Sequence, residues 1–361
     1  MGKIEDLRKN IDAIDLNILK LLNERAAIAL EIGKEKKEKN ISCYAPEREK
    51  EVIANLVKHN SGPLPDGAVK SLYRDIISAS RSLEEPLKVA YLGPIATFTH
   101  LAAIRHFGSS ADFMPADSIR SVFQEVESGR AGYGVVPIEN SNEGVVNYTL
   151  DMFVDSELLV AGEMMLEISQ NLLSLSGDPS KVKRIYSFLP ATAQCKGWIE
   201  RNMPSAQVID PGGSTAKAAE IASKDEEAAA IAGEAAAGIY NLKFVARDIQ
   251  DGKHNFTRFL VISKQHPGRT GRDKTSIMFS VKDRPGALYD ILAPLKKAGI
   301  NLTKIESRPS KRKAWEYIFF VDMRGHIQDK PLHKAIETIK KDCLYLKILG
   351  SYPMVDDDKS S

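Results

Sequence analysis

LEEPLKVAYLGP, Leu83–Pro94, is the stretch on which the reading of this 361-residue chain turns. Up to Leu83 the pattern is helical. Within the stretch, Lys88-Val89-Ala90-Tyr91-Leu92-Gly93 reads as a short buried strand closed by a glycine turn. Glu84-Glu85-Pro86 therefore separates two fold classes, as expected of a chain too long for one hydrophobic core.

Back from the boundary, Lys3 to about Lys39 contains no proline and one glycine, Gly33. Leu7, Ile11, Ile14, Ile18, Leu21, Arg25, Ile28 and Ile32 recur there at gaps of four and three, which predicts one long helix with a seam. At ~1.5 Å per residue it would span about 55 Å, while a domain of this segment's size has a radius of gyration of about 12 Å. The helix must find a partner outside its own protomer. Two more helices are expected, from Pro46 to about Asn60 and from Asp66 to Leu83, divided by the breakers Asn60-Ser61-Gly62-Pro63. Residues 1–85 carry 15 Lys plus Arg against 15 Asp plus Glu, so an anion site there must come from local placement. Arg25 occupies a seam position and needs an anion. Lys36, eleven residues on, lies about 20° around the helix on the same face. Either Arg25 pairs with a buried Glu and Lys36 is solvated, or both hold an anionic ligand; the residues alone leave this open.

Forward from the boundary, strand-like runs (Gly134–Val136, Leu158–Val160, Arg184–Tyr186, Ala229–Ala232) alternate with helical runs such as Ser118–Ser128 and Thr215–Ala222. This predicts an α/β layered fold to about Ser263, of a length that suits two lobes and a cleft. Lys264–Arg272 reads as a linker. Strand Thr275–Val281, helix Ala287–Ala298, strands Asn301–Ser307 and Ala314–Met323 and helix Pro331–Lys341 then follow, in an order that matches an α+β ferredoxin-like unit. The tail Asp356–Ser361 is expected to be disordered. The domains expected are 1–85, 87–263 and 275–352.

With 43% hydrophobic and 27% charged residues and a net charge of +2, the chain carries no nucleic-acid footprint. Cys43, Cys195 and Cys343 are far apart, which fits packing residues in a reducing compartment and gives neither a metal site nor a disulfide frame. The N-terminus lacks a signal-peptide pattern and no 18 consecutive apolar residues occur, so a cytoplasmic protein without a membrane partner is expected. No cofactor fingerprint is present.

Several strings carry a resemblance to known families. Leu7-Arg8-Lys9-Asn10-Ile11-Asp12-Ala13-Ile14-Asp15, Glu24-Arg25, Gly33-Lys34-Glu35-Lys36, Arg48-Glu49 and Ile76–Arg81 resemble the all-helical chorismate mutases, whose dimers are intertwined. The resemblance implies that Arg25 and the partner's Arg8 hold the two carboxylates of chorismate, with Arg48 nearby. It sets Lys36 and Glu84 at the ether oxygen and Glu49 and Ser80 at the hydroxyl side. Ala45 and Glu84 depart from one subgroup's Asp and Gln. The rearrangement is pericyclic, so holding a compact conformer and stabilising charge on the ether oxygen suffice.

Tyr91-Leu92-Gly93-Pro94 with Ala96-Thr97-Phe98-Thr99-His100, Pro137–Gly144, Gly212-Gly213-Ser214-Thr215-Ala216 and Asn255-Phe256-Thr257-Arg258-Phe259 resemble prephenate dehydratase, a two-lobed, periplasmic-binding-like α/β fold. That family's essential threonine maps to Thr257. The implied substrate contacts are Thr97, Asn140, Ser141, Glu143, Ser214, Thr215 and Arg258. Ser187-Phe188-Leu189-Pro190 departs from the family's Ser-His-Pro-Gln. His100, His106 and His254 are expected to be packing or surface residues, with His254 a candidate base beside Thr257.

Asp283-Arg284-Pro285-Gly286-Ala287-Leu288 and Ile305-Glu306-Ser307-Arg308-Pro309 resemble the ACT-domain loops that bind phenylalanine in this enzyme family, implying Gly286, Ala287, Leu288, Glu306, Ser307 and Arg308 as an allosteric site. The expected protein is a homodimer or higher homo-oligomer that turns chorismate into prephenate and prephenate into phenylpyruvate under phenylalanine control. Rival expectations are an arogenate dehydratase and a non-catalytic amino-acid-binding regulator.

Overall fold

A computed structural model describes residues 2–39, 44–252, 255–309 and 317–355. Cys43, His254, the first three positions of the strand expected from Ala314, and the tail Asp356–Ser361 lie outside the described residues.

Three helices, α1 (Lys3–Glu38), α2 (Pro46–Lys58) and α3 (Asp66–Glu84), make up the first part. Acidic Glu5 and Asp6 in the first turn of α1 and basic Lys36 and Lys37 in its last complement the helix dipole. Proline opens α2, where its missing N–H costs nothing. The helix α3 stops where Glu85 turns extended ahead of Pro86. It packs against both α1 and α2. Gly33 is the only buried residue of α1. Its seam stays uncovered, with Leu7, Ile11, Ile14 and Leu21 at 53, 56, 56 and 62% exposure.

The second part opens with a sheet built from β1 (Lys88–Leu92), β2 (Asp112–Ala116), β3 (Tyr133–Asn140), β4 (Gly144–Val145), β5 (Leu159–Glu167) and the later β11 (Phe256–Ser263), in the order β2-β1-β3-β11-β5 with β4 on β3. Helices α4 (Phe98–Phe107), α5 (Ile119–Glu127) and α6 (Asn147–Asp155) connect the strands of this first lobe. The chain crosses to a second lobe after β5 and returns before β11. That lobe holds β6 (Asn171–Ser174), β7 (Arg184–Tyr186), β8 (Gln207–Ile209), β9 (Ala228–Ala232) and β10 (Lys243–Ala246), ordered β10-β6-β9-β7-β8, with α7 (Leu189–Gln194), α8 (Lys196–Asn202), α9 (Thr215–Ala222) and α10 (Ala235–Ile239). All five alanine and isoleucine residues of β9 are buried, and their small side chains let the alanine face of α9 settle on the sheet.

The last sheet, β13 (Leu302–Pro309), β14 (Tyr317–Arg324), β12 (Asp273–Val281) and β15 (Cys343–Pro353) in that spatial order, is antiparallel and carries α11 (Ala287–Lys297) and α12 (Lys330–Lys340). This is the ferredoxin-like order the sequence predicts. One face of β12, with Ile277 and Phe279, packs under the two helices. From the other, Met278 joins Phe320, Leu349 and Tyr352 in a core shared with Ile138, Val160, Leu260 and Ile262 of the first lobe. A Cβ on Gly350 would fall onto the Val160 backbone carbonyl, so glycine is what permits this approach.

Compactness divides the chain differently from the sequence reading. Residues 1–88 join with Ile104–Asp112, and Val89–Ala103 with everything from Phe113 onward. The last sheet is thus continuous with the two-lobed part, and the end of α4 belongs to the helical unit.

Candidate active sites

In the helical unit, the Arg25 guanidinium donates to Ser80 Oγ at 2.7 Å. No carboxylate among the described residues is in ion-pair contact with it, so the bland alternative of a buried Glu partner is not what the fold supplies. Ser80 and Glu84 sit one turn apart on α3, on the face toward α1. A Cβ on Gly33 would come within 2.7 Å of Glu84 Cγ, which explains glycine in a helix interior where it is otherwise unfavourable. Glu84 Oε2 is buried without a hydrogen-bond partner. Glu49 on α2 accepts from Arg81 at 2.5 Å. Burial lifts the Glu49 carboxyl above its ordinary pKa against the opposing pull of Arg81, Lys36 and Arg74. Arg81 is itself fixed by donating to the Phe107 carbonyl at 2.6 Å and by lying over the Tyr44 ring.

Arg25, Lys36, Glu49, Ser80 and Glu84 thus gather where the three helices meet. Arg48, expected nearby, does not join them, and this chain's own Arg8 lies apart, as a site completed by a second copy requires. Arg8 is 17 residues from Arg25, about 25 Å along one helix. Arg48 is exposed and pairs with Glu51 at 2.5 Å.

The two-lobed part encloses a cleft of about 1150 Å³ lined from both lobes. Thr97, Asn140, Glu143, Ser214, Thr215 and Thr257 line it. Thr257 enters at the start of β11, cross-strand from Asn140 on β3. Asn140 Nδ2 donates to Thr257 Oγ1 at 2.8 Å and to Asn255 Oδ1 at 2.9 Å. The amide orientation is fixed by its other end, since Asn140 Oδ1 accepts the backbone N–H groups of Asn142 and Glu143 at 2.9 and 3.0 Å. With its oxygen already accepting, the Thr257 hydroxyl is free to turn its own proton toward the cleft.

Two helix starts face the same space. Thr97 Oγ1 accepts the His100 N–H ahead of α4, and Ser214 caps α9 through the Lys217 N–H after Gly212 and Gly213, both in the left-handed region. Such N-termini favour anions. Ser141 and Arg258 are not brought to the cleft. Ser141 Oγ accepts the Phe256 N–H, locking the turn after β3, and Arg258 points out of the opposite face of β11. His100 is stacked on Tyr91 with ring centroids 4.7 Å apart, and burial lowers its pKa. The sequence reading missed Gln170, Gln194 and Lys217, which also line the cleft. Gln170 Oε1 is buried without a partner. No local pattern marks these residues, because Gln170 lies in the crossing segment and Gln194 at a helix end.

In the last sheet, Gly286 takes the left-handed conformation (φ 79°) at the start of α11, with Ala287 and Leu288 following. The other loop string is split by strand alternation. Glu306 and Arg308 pair across from Phe320 and Ile318, which face the first lobe, and Arg308 forms an ion pair with Asp151 of α6 at 3.0 Å. Ser307 lies on the opposite face.

Three family models match the chain in order: chorismate mutase type II over residues 7–85, prephenate dehydratase over 89–267 and the ACT domain over 275–341. The chain is 54% identical to the bifunctional chorismate mutase/prephenate dehydratase of Aquifex aeolicus, covering 98% of each, and 42% identical to that of Stutzerimonas stutzeri, covering 97% of this chain and 98% of the relative. Among solved structures it is similar to the prephenate dehydratase of Arthrobacter aurescens in complex with L-Phe, at TM-score 0.69 and 34% identity, covering 75% of this chain and 91% of that one.

Proposed function

This chain belongs to the bifunctional chorismate mutase/prephenate dehydratase family, and from that premise we propose that it converts chorismate to prephenate and prephenate to phenylpyruvate, with phenylalanine as feedback ligand of the ACT domain.

In the mutase reaction one C–O bond breaks as one C–C bond forms, and nothing is added or lost. Arg25 grips a carboxylate, Lys36 and Glu84 stand at the ether oxygen, and Arg81 holds Glu49 for the hydroxyl. The second carboxylate falls to Arg8 of a second copy, which would also cover the open seam of α1. On this reading the protein is a homodimer.

In the dehydratase reaction the ring carboxylate of prephenate leaves as carbon dioxide, its electron pair enters the ring, and the hydroxyl at the far ring carbon departs with one proton as water. The ring becomes aromatic. What the protein must supply is a donor at the departing oxygen and restraint of two carboxylates. The Asn140–Thr257 hydrogen bond carries this reading, because it leaves the threonine proton as the donor. The amides at the starts of α4 and α9 and the Lys217 ammonium suit the carboxylates. A cytoplasmic setting accords with the free thiols of Cys195 and Cys343.

Purified protein given chorismate should form prephenate and then phenylpyruvate, slowed by added phenylalanine. Prephenate that accumulates without phenylpyruvate would defeat the dehydratase assignment.

A further inference from the structure

The two-residue units Thr257-Arg258 and Glu139-Asn140 lie opposite one another on β11 and β3, Thr257 across from Asn140 and Arg258 across from Glu139. Successive residues of a strand point to opposite faces. Thr257 and Asn140 therefore meet on the cleft face, while Arg258 and Glu139 lie directly behind them on the face covered by the ACT sheet. Both are held by it. Arg258 donates from Nε to Glu163 at 2.8 Å, from Nη1 to Asp322 at 2.6 Å and from Nη2 to the Tyr352 hydroxyl at 3.1 Å. Lys274 reaches Glu163 at 2.6 Å, and Ser276 bonds Asp322 and Tyr352 at 2.5 and 2.7 Å. Arg258, Glu163 and Asp322 are 8, 6 and 8% exposed. Two cations thus face two carboxylates in a buried, charge-balanced cluster, of which Asp322, Tyr352, Lys274 and Ser276 come from the ACT sheet. Glu139 accepts from Lys304 of β13 at 2.6 Å.

We infer that Arg258 and Glu139 are positioning residues for the dehydratase reaction, and that the ACT sheet, by clamping both through Asp322, Tyr352 and Lys304, sets the hydrogen bond between Asn140 and Thr257. Ion pairs of this kind fix register, because a buried charge displaced from its partner is left uncompensated. The β3–β11 register shifts between Arg258 and Phe259, so the ladder alone does not fix the strand at this point. A shift of about 1 Å at the donor is enough to cost about 10²-fold in rate. Arg258, conspicuous beside Thr257 as a carboxylate ligand, acts instead from behind the strand.

This inference rests on the dehydratase reading, and the full chain separates the two. Wild type and the variants Lys304→Met, Asp322→Asn and Lys304→Met/Glu139→Gln are assayed for kcat and KM on prephenate and, in the same preparations, for mutase turnover of chorismate. The expected result is a fall in dehydratase kcat of about tenfold or more in each single variant, with KM within about threefold and mutase turnover unchanged. The double variant should be no slower than Lys304→Met alone, because one link is broken in either case. A residue that served stability alone would move the melting temperature and leave kcat in place. Unchanged kcat in folded Lys304→Met and Asp322→Asn chains overturns the inference, as does a double variant markedly slower than Lys304→Met alone. Should Asp322→Asn melt below assay temperature, Lys304→Met, whose partner Glu139 is 40% exposed, decides alone. Wild-type protein with normal mutase turnover and no phenylpyruvate would instead sink the dehydratase reading.

Discussion

The helical site and the cleft differ in how much of each one protomer builds. Around Ser80 and Glu84 the chain gathers Arg25, Lys36 and Glu49, yet the α1 seam that carries Arg25 is open and Arg8 lies about five turns away. Around Thr257 the chain closes the site on itself, with donors and acceptors drawn from both lobes and a sheet braced from behind. A helix longer than its domain cannot bury its own seam, and the α1 seam stays exposed. A sheet between two covering layers can keep everything. The comparison teaches that two sites on one chain need not be equally enclosed by it.

The largest effect expected is on the self-contained site. Thr257→Val keeps shape and removes the donor, so phenylpyruvate formation should fall by about 10²- to 10⁴-fold while mutase turnover persists, read as prephenate accumulating from chorismate. Near-normal phenylpyruvate formation would make Thr257 structural. Serine at that position should recover part of the rate.

Next comes the helical site. Arg25→Ala should cost the mutase about 10²- to 10³-fold and spare dehydratase turnover of supplied prephenate. Arg8→Ala should do the same. Mixing the two inactive proteins and allowing subunits to exchange should restore up to about a quarter of wild-type mutase rate, because half of the mixed dimers' sites regain both arginines. No recovery after demonstrated exchange would mean that each mutase site belongs to one chain.

A smaller change tests how tightly α1 and α3 are fitted. Gly33→Ala should push Glu84 from its place and lower mutase kcat by about tenfold, although alanine favours the helix by about 1 kcal/mol. A mutase as fast as wild type would show that Glu84 is not held by that contact.

The smallest effect concerns stability against pH. His106 lies against Tyr44 at 3.0 Å, and its pKa is lowered from 6.5 to about 4, first by burial and then by Arg74 and Arg81. A depressed folded-state pKa means that the unfolded chain binds the extra proton between these values. Stability from this group is therefore full above about 6.5 and is lost as pH falls toward 4. Hydrogen exchange on α3 should quicken over that window in wild type, and less in His106→Gln. Identical profiles would remove His106 from the account.

Much of this was legible from local pattern. Helix ends follow from Pro46 at the start of α2 and Pro86 after α3, and α9 spans the expected Thr215–Ala222, capped by Ser214 and filled by small residues. The strand β3 extends beyond the expected Gly134–Val136, through Pro137 to Asn140. In the sheet that proline sits opposite Phe259 beside a register shift, where its missing N–H is tolerated.

What the sequence determined by itself was the change of class between Leu83 and Pro94 and the order of the three domains. These depend on periodicities and caps spanning a few residues, which the chain carries wherever it folds. Tertiary structure alone decided which way each face looks. Thr257 and Arg258 are neighbours whose opposite orientations are given by alternation, but that one meets a cleft and the other meets Asp322, 64 residues on, depends on a later sheet packing behind β11. In the same way Glu306 and Arg308 part from Ser307, the Gln170 and Gln194 side chains meet in the cleft, and Ile104–Asp112 joins the helical unit. Each of these rests on contacts between residues distant in sequence, and no local signal encodes which distant surface will cover a given face.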